Sequence, residues 1–173
     1  CGLWVVLGYE EKNVFSRSMT DHDSSHSQFL NLQFMEYKMI SIGSAAPSWS
    51  AAAYQKGEFI TLSNEDFKGK WVLIYWWPFD FTGICHSEVL GFQELESEFA
   101  AAGVELIGAS CDTKFAHQKW FSDESAFPNG QPGHPMLADN SHKMTQDFGF
   151  YLDAVGCAVR GTVLIDPDGV VRS

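Results

Sequence analysis

Hydrophobic positions along this chain follow two periods in turn. From Trp71 to Trp77 the residues WVLIYWW are unbroken apolar or aromatic. A run without polar alternation predicts a central strand, 71–77, covered on both faces. Beyond it, Val89, Phe92, Leu95, Phe99 and Ala102 recur every three or four residues, the period of one amphipathic helix that Gly103 ends. The alternation then repeats. VELIGASCD (104–112) predicts a second buried strand and 113–124 a second helix. PMLAD (135–139) predicts a third strand, and 141–150 a third helix opened by a Ser or Asn cap. RGTVLID (160–166) predicts a fourth strand, turning at Asp166-Pro167-Asp168-Gly169 toward a fifth. Ahead of all these, 57–62 reads as a short strand and 66–70 as a turn. Strands alternating with helices predict a three-layer α/β domain, with helices flanking a central sheet.

Residues 1–38 do not share the pattern. TDHDSSHSQ (20–28) is polar and lacks an apolar period, so 1–38 is expected to be an extension without a fold of its own. His22 and His26 could suggest a metal site, but no cysteine or carboxylate framework surrounds them, and a solvated tail is the expectation. The domain is expected to begin at Met39. The chain stops at VVRS, where the fifth strand starts, so truncation of its C-terminal part is expected.

Composition narrows the function. Hydrophobic residues make up 45% of the 173, enough for one domain with a real core. The 22 acidic against 11 basic residues give a net charge of −11, which argues against nucleic acid or an anionic membrane as partner. No apolar run approaches the roughly 18 residues that span a bilayer. The four cysteines (Cys1, Cys85, Cys111, Cys157) lie far apart, without a CxxC pair or zinc spacing. They read as free thiols in a reducing compartment, the cytoplasm, and not as a disulfide framework.

One of them stands apart. Cys85 lies just beyond the C-terminal end of a central strand, the edge at which sites of open α/β sheets collect. It also falls in the first turn of the following helix, where unpaired N–H groups and the helix dipole favour an anion. Thiolates, not thiols, are nucleophiles. Cys111, inside an apolar strand, and Cys157, in the loop VGCAVR, read more simply as small buried residues. The neighbours of Cys85 (Pro78, Asp80, Thr82, Gly83, Ser87) describe an exposed turn, so Cys85 is the expected nucleophile.

The spacing Pro78-x-x-x-Thr82-x-x-Cys85, within WWPFDFTGICHSE, resembles the active-site signature of the peroxiredoxins of the alkyl hydroperoxide reductase C / thiol-specific antioxidant family. The resemblance covers 39–173: GASCDTKFAHQKW, with His117 and Trp120, is similar to the second strand and helix, and PMLAD and RGTVLIDPDG to later strands. It implies a thioredoxin-like fold with a mixed sheet, and a thiol-dependent peroxidase acting on hydrogen peroxide and organic hydroperoxides. By motif position Cys85 is the peroxidatic cysteine, oxidised to a sulfenic acid. Thr82 is to hydrogen-bond the thiolate and peroxide, Arg160 to stabilise both, and Pro78 to shield the pocket. For Thr82 a plain helix cap, and for Arg160 a surface position, are the competing readings. Glu88 is expected to position Arg160, and Trp120 to pack near the pocket, with His117 a satisfied helix residue.

The resemblance further implies no cofactor in the chain. It implies an external thiol or disulfide reductase as electron donor, thioredoxin-like or flavin-dependent, and a homodimer or a ring of five dimers. Its resolving cysteine lies in a C-terminal tail that this chain lacks; Cys157 is the local alternative. FPNGQPGHP (127–135) stands where over-oxidation-sensitive members carry Gly-Gly-Leu-Gly, which points to the resistant type. His86 replaces the usual Pro, and its ring is expected near the thiolate, adding a pH dependence near neutrality. A thiol–disulfide oxidoreductase on the same fold lacks its second cysteine, since Thr82 fills that place. A non-catalytic holdase is the remaining alternative.

Overall fold

The computed structural model describes residues 40–173; expectations for 1–38, and for a start at Met39, lie outside the described residues. The strands are β1 (Ser50–Gln55), β2 (Glu58–Ser63), β3 (Trp71–Trp76), β4 (Val104–Ser110), β5 (Met136–Ala138), β6 (Tyr151–Leu152), β7 (Cys157–Ala158) and β8 (Gly161–Ile165). The helices are α1 (Gly83–Glu94), α2 (Glu96–Ala101), α3 (Lys114–Phe121) and α4 (Lys143–Asp147). Six strands form one sheet in the order β2-β1-β5-β4-β3-β8, and β6 and β7 pair separately. β3, β4 and β5 run parallel, whereas β1 is antiparallel to β2 and β5, and β8 is antiparallel to β3. The sheet is therefore mixed.

The period of two along β3 sorts the core into two layers. Val72, Ile74 and Trp76 join one buried cluster with Ile107, Leu137, Val163 and the α4 side chains Met144 and Phe148. Tyr75 and Trp77 join the other with Cys85 and Val89 of α1, Trp120 and Phe121 of α3, and Met136; Phe99 of α2 packs against it. Helices cover both faces, as the unalternating run 71–77 requires. Gly108 sits where the second layer converges: a Cβ there would lie 2.6 Å from Met136 Sδ and 2.8 Å from Trp77 Cζ3.

Several elements differ from expectation. β1 and the β6–β7 hairpin have no counterpart in the sequence reading. β1 is SAAAYQ, and alanine is a weak strand former, so pairing to β2 and β5 fixes it rather than local preference. The helix expected through Val89–Ala102 is broken at Leu95, whose N–H bonds to Phe92 and Gln93 carbonyls and closes α1 with a tightened turn. The restart turns Glu96 toward the 122–135 loop, where its carboxylate accepts the Gly133 N–H at 2.6 Å. α4 has five residues, not ten. Its N-cap position is His142, in the left-handed region at φ 64°. Ser141 Oγ accepts only the Lys143 N–H at 3.3 Å, while the Asp139 carboxylate takes the Thr145 N–H at 2.7 Å. The fifth strand is present as two bridges, Ala45↔Val170 and Ile165↔Val171.

Candidate active site

The site is built where β3 runs out. After Trp77 the chain descends through Pro78, half-buried, and Phe79, exposed, to Asp80, buried. Asp80 is a tie-point. Its carboxylate accepts the Trp77 indole N–H at 2.9 Å and meets His117 Nδ1 of α3 at 2.8 Å, while its own N–H donates to Asp112 at 3.0 Å. The other ring nitrogen of His117 lies 3.2 Å from the Leu137 carbonyl, which can only accept, so both nitrogens are engaged. Burial, and then the charge of Asp80, push the Asp112 carboxyl above its ordinary range. His117 is thus a satisfied residue, as read, but one that fastens the loop to α3 and β5. Phe81 follows at φ 61°, a left-handed conformation that costs a bulky residue roughly 1–2 kcal/mol. That turn reverses the chain into Thr82, the N-cap of α1.

Cys85 is the third residue of α1. The turn is exposed, as the sequence suggested, but the sulfur is not: Cys85 is 1% exposed, within the Trp77–Trp120 layer. Residues 81–84 are all exposed while the next faces inward, because one turn of helix carries neighbours to opposite faces.

Arg160 reaches the sulfur because of sheet register. β8 runs antiparallel to β3 with Gly161 opposite Trp76, so the residue before β8 stands beside the residue after β3. Gly161 permits this approach, since a Cβ there would lie 2.5 Å from the Phe150 ring. From that position Arg160 Nη2 donates to Cys85 Sγ at 3.1 Å, and Nε donates to Glu88 Oε2 at 2.8 Å. Cys85 and Glu88 are three apart on a helix and share a face, so one planar fork serves both. The Arg160 and Glu88 side chains are 41% and 32% exposed. A pair this wet adds little stability. Its contribution is aim.

The contact expected of Thr82 is corrected, and the His86 ring has partners of its own. The Thr82 hydroxyl neither bonds the sulfur nor caps the helix; it donates to the Phe79 carbonyl at 3.0 Å, because the left-handed Phe81 brings that carbonyl beneath it. The His86 ring is not hydrogen-bonded to Cys85. Its Nε2 faces the Ala126 carbonyl at 2.6 Å, and the ring packs on Phe127 and Trp120 at 5.2 and 6.2 Å. Trp120 is buried and also lies 5.9 Å from the Phe81 ring. Cys157 is buried in β7, not in a loop. Cys111 is half-buried, and burial pushes its thiol up to about 11 against the opposing Thr145 hydrogen bond. A cleft of about 460 Å³, lined by residues such as Trp49, Phe67 and Ile165, includes none of these side chains.

Comparison with known proteins agrees with this architecture. Residues 42–173 match the AhpC/TSA family, and the chain belongs to it. The chain is 35% identical over 171 residues to peroxiredoxin-4 of Dictyostelium discoideum, covering 96% of this chain and 66% of that one. It is 36% identical over 133 residues to the thioredoxin peroxidase of Echinococcus granulosus, covering 76% and 68%. Among solved structures, AhpC of Enterococcus faecalis aligns with a TM-score of 0.72 at 29% identity, over 76% of this chain and 78% of that one. The reduced 2-Cys peroxiredoxin of Plasmodium vivax aligns at 0.71 and 32% identity, over 76% and 69%. The chain thus spans about two thirds of the length of those curated relatives, and half of the mouse mitochondrial thioredoxin-dependent peroxide reductase. The fold is the thioredoxin-like one of these neighbours.

Proposed function

We propose that this chain is a thiol-dependent peroxidase that reduces hydrogen peroxide and organic hydroperoxides through Cys85. The observation that carries the reading is the 3.1 Å contact between the Arg160 guanidinium and the Cys85 sulfur at the first turn of α1. A permanently charged donor on the sulfur and the positive end of the helix dipole form a setting that is complementary to an anionic nucleophile. The thiolate attacks one peroxide oxygen; the O–O bond breaks, the sulfur keeps that oxygen as a sulfenic acid, and the second oxygen leaves as alkoxide or hydroxide and takes a proton. Arg160 is a fixed donor for that growing charge, and fixed donors lower the barrier without reorganising. Glu88 holds the guanidinium in its plane. In this reading Pro78, half-buried after β3, shields the pocket, and Thr82 becomes a further donor to peroxide once its hydroxyl rotates off Phe79.

Relatives carrying the names thioredoxin peroxidase and thioredoxin-dependent peroxide reductase support a thioredoxin-like reductant for this chain. A flavin-dependent disulfide reductase is the alternative donor. The reading extends to a cytoplasmic homodimer, or a ring of dimers, in keeping with the family. The test is the second-order rate of Cys85 oxidation by hydrogen peroxide, followed in stopped flow by tryptophan fluorescence. Wild type is expected to react orders of magnitude faster than a small thiol. Cys85→Ser is expected to lose the phase, and Arg160→Ala to slow it about 10²–10³-fold. A wild-type rate no faster than that of a free thiol would overturn the reading.

A further inference from the structure

The core layer shared by β3, α1 and α3 holds a hydrogen-bonded triad that the chemistry of Cys85 does not use. Tyr75 of β3 is 2% exposed, and its hydroxyl lies 2.8 Å from His134 Nε2. The other ring nitrogen, Nδ1, meets Glu96 Oε1 at 2.5 Å. That same oxygen accepts the Gly133 and His134 N–H groups at 2.6 and 3.3 Å. Against the opposing effect of burial, these donors hold the carboxyl below its ordinary range, so it is ionised at neutral pH. An ionised carboxylate can only accept, so Nδ1 carries the imidazole proton and Nε2 presents a lone pair. The Tyr75 O–H therefore donates to a basic nitrogen; the Met136 sulfur, at 3.7 Å, is a weak acceptor beside it. Tyr54, by contrast, gives its hydroxyl to the Gln131 side-chain oxygen at 2.6 Å, and an amide does not take up a proton at neutral pH.

Tyr75 also stands in a row of aromatic rings. Its centroid lies 5.6 Å from that of Trp77, Trp77 lies 6.3 Å from Trp120, and Trp120 lies 5.9 Å from the exposed Phe81. Cys85 belongs to the same buried cluster. Steps this short carry an electron by tunnelling, and indole and phenol are the side-chain rings most readily oxidised. We propose that Tyr75, with His134 as its proton acceptor, is a one-electron redox site that takes up oxidising equivalents delivered to this layer by a diffusible oxidising radical. An indole of the row gives one electron to that radical, which is reduced. Tyr75 returns one electron to the indole, and its O–H bond breaks as the proton passes to His134 Nε2. The products are a neutral phenoxyl radical and an imidazolium paired with the Glu96 carboxylate. Without such a base the oxidised ring would stay a buried cation, and an uncompensated buried charge is costly. Burial, with the charges of Glu96 and Glu88, keeps Tyr75 a phenol until it is oxidised. Trp77 is the relay and not the terminus: its N–H faces the Asp80 carboxylate at 2.9 Å, and a carboxylate is intrinsically a weaker base than imidazole. A small one-electron reductant such as ascorbate restores the phenol, and His134 returns the proton. The assignment is independent of the role of Cys85.

The experiment generates azide radical, which oxidises tryptophan selectively, by pulse radiolysis in solutions of the full chain. The indolyl absorption is expected to decay as phenoxyl absorption grows, at a rate independent of protein concentration. Tyr75→Phe keeps the ring and its stacking on Phe92 and is expected to lose that growth. His134→Gln removes the base and is expected to slow the growth about 10²-fold. In deuterium oxide the wild-type growth is expected to be slower, because the proton moves with the electron. If His134→Gln does not fold, Glu96→Gln takes its place, since loss of the carboxylate weakens the imidazole as a base and the same direction of change is expected. Absence of phenoxyl in wild type, equal phenoxyl in Tyr75→Phe, a wild-type rate in the His134 or Glu96 variant, or no solvent isotope effect overturns the proposal.

Discussion

Arg160 binds its two partners through different nitrogens, and this division sets what a substitution can preserve. Lysine would keep the charge but offers a point donor, which cannot hold Glu88 and the sulfur in one plane. Losing one charge-assisted hydrogen bond, about 1.5–3 kcal/mol, corresponds to a fall of roughly 10- to 100-fold in the rate of Cys85 oxidation. Arg160→Lys is expected to fall in that range under hydrogen peroxide in stopped flow; a wild-type rate would show that charge alone suffices. At this scale the motif made Cys85, Glu88 and Arg160 legible, because spacing on a helix and position at a strand end translate directly into placement. The burial of Cys85 and the direction of the Thr82 hydroxyl were not legible. The first depends on which face of α1 the third residue presents, and the second on Phe81 at φ 61°, a conformation that sequence announces through Gly or Asn and here adopts with Phe.

Among the elements, the 122–135 segment is regular in none of its parts yet fastened at many. Ala126 is bound by His86, Gly130 by Gln93 and Gln131 by Tyr54, while Glu96 takes the N–H groups of Gly133 and His134 and the His134 ring. The break at Leu95 gives Glu96 this reach, which explains why a continuous period through Val89–Ala102 does not become one helix. Burial alone would raise the Glu96 carboxyl. The hydrogen bond and charge of His134, with the Gly133 and His134 N–H groups, hold it below its ordinary 4.5. A carboxyl depressed by folding stabilises the fold above its unfolded value, and that contribution is lost as pH falls through the folded one. The stability gap between wild type and Glu96→Gln in urea unfolding is therefore expected to be open at pH 7 and to close on acidification below 4.5. A gap independent of pH would place the effect in packing. None of these loop ties was readable in FPNGQPGHP, since their partners sit on three separate elements.

The molecule as a whole is knit by contacts that cross long stretches of chain. Asp80, His117 and the Leu137 carbonyl join the loop after β3, α3 and β5 in one buried chain of hydrogen bonds. His117→Ala would leave the buried Asp80 carboxylate with the Trp77 indole N–H but one hydrogen bond short, a loss of about 1–3 kcal/mol. The expected result is a lowered urea midpoint together with slowed Cys85 oxidation, because the same loop carries the thiol; an unchanged midpoint would remove His117 from the framework. The alternation of strand and helix made the three-layer architecture legible. β1 escaped because its alanines carry little strand preference, although β2 follows it after a two-residue turn. The Ala45–Val170 bridge escaped because its partners are distant in sequence.

The Arg160–Cys85 contact spans 75 positions of sequence. During synthesis the thiol therefore emerges long before the guanidinium that faces it. In an unfinished polypeptide Cys85 lacks this contact, which forms only when β8 docks against β3. On the role proposed for Cys85, full reactivity toward peroxide would mark a chain whose sheet has closed.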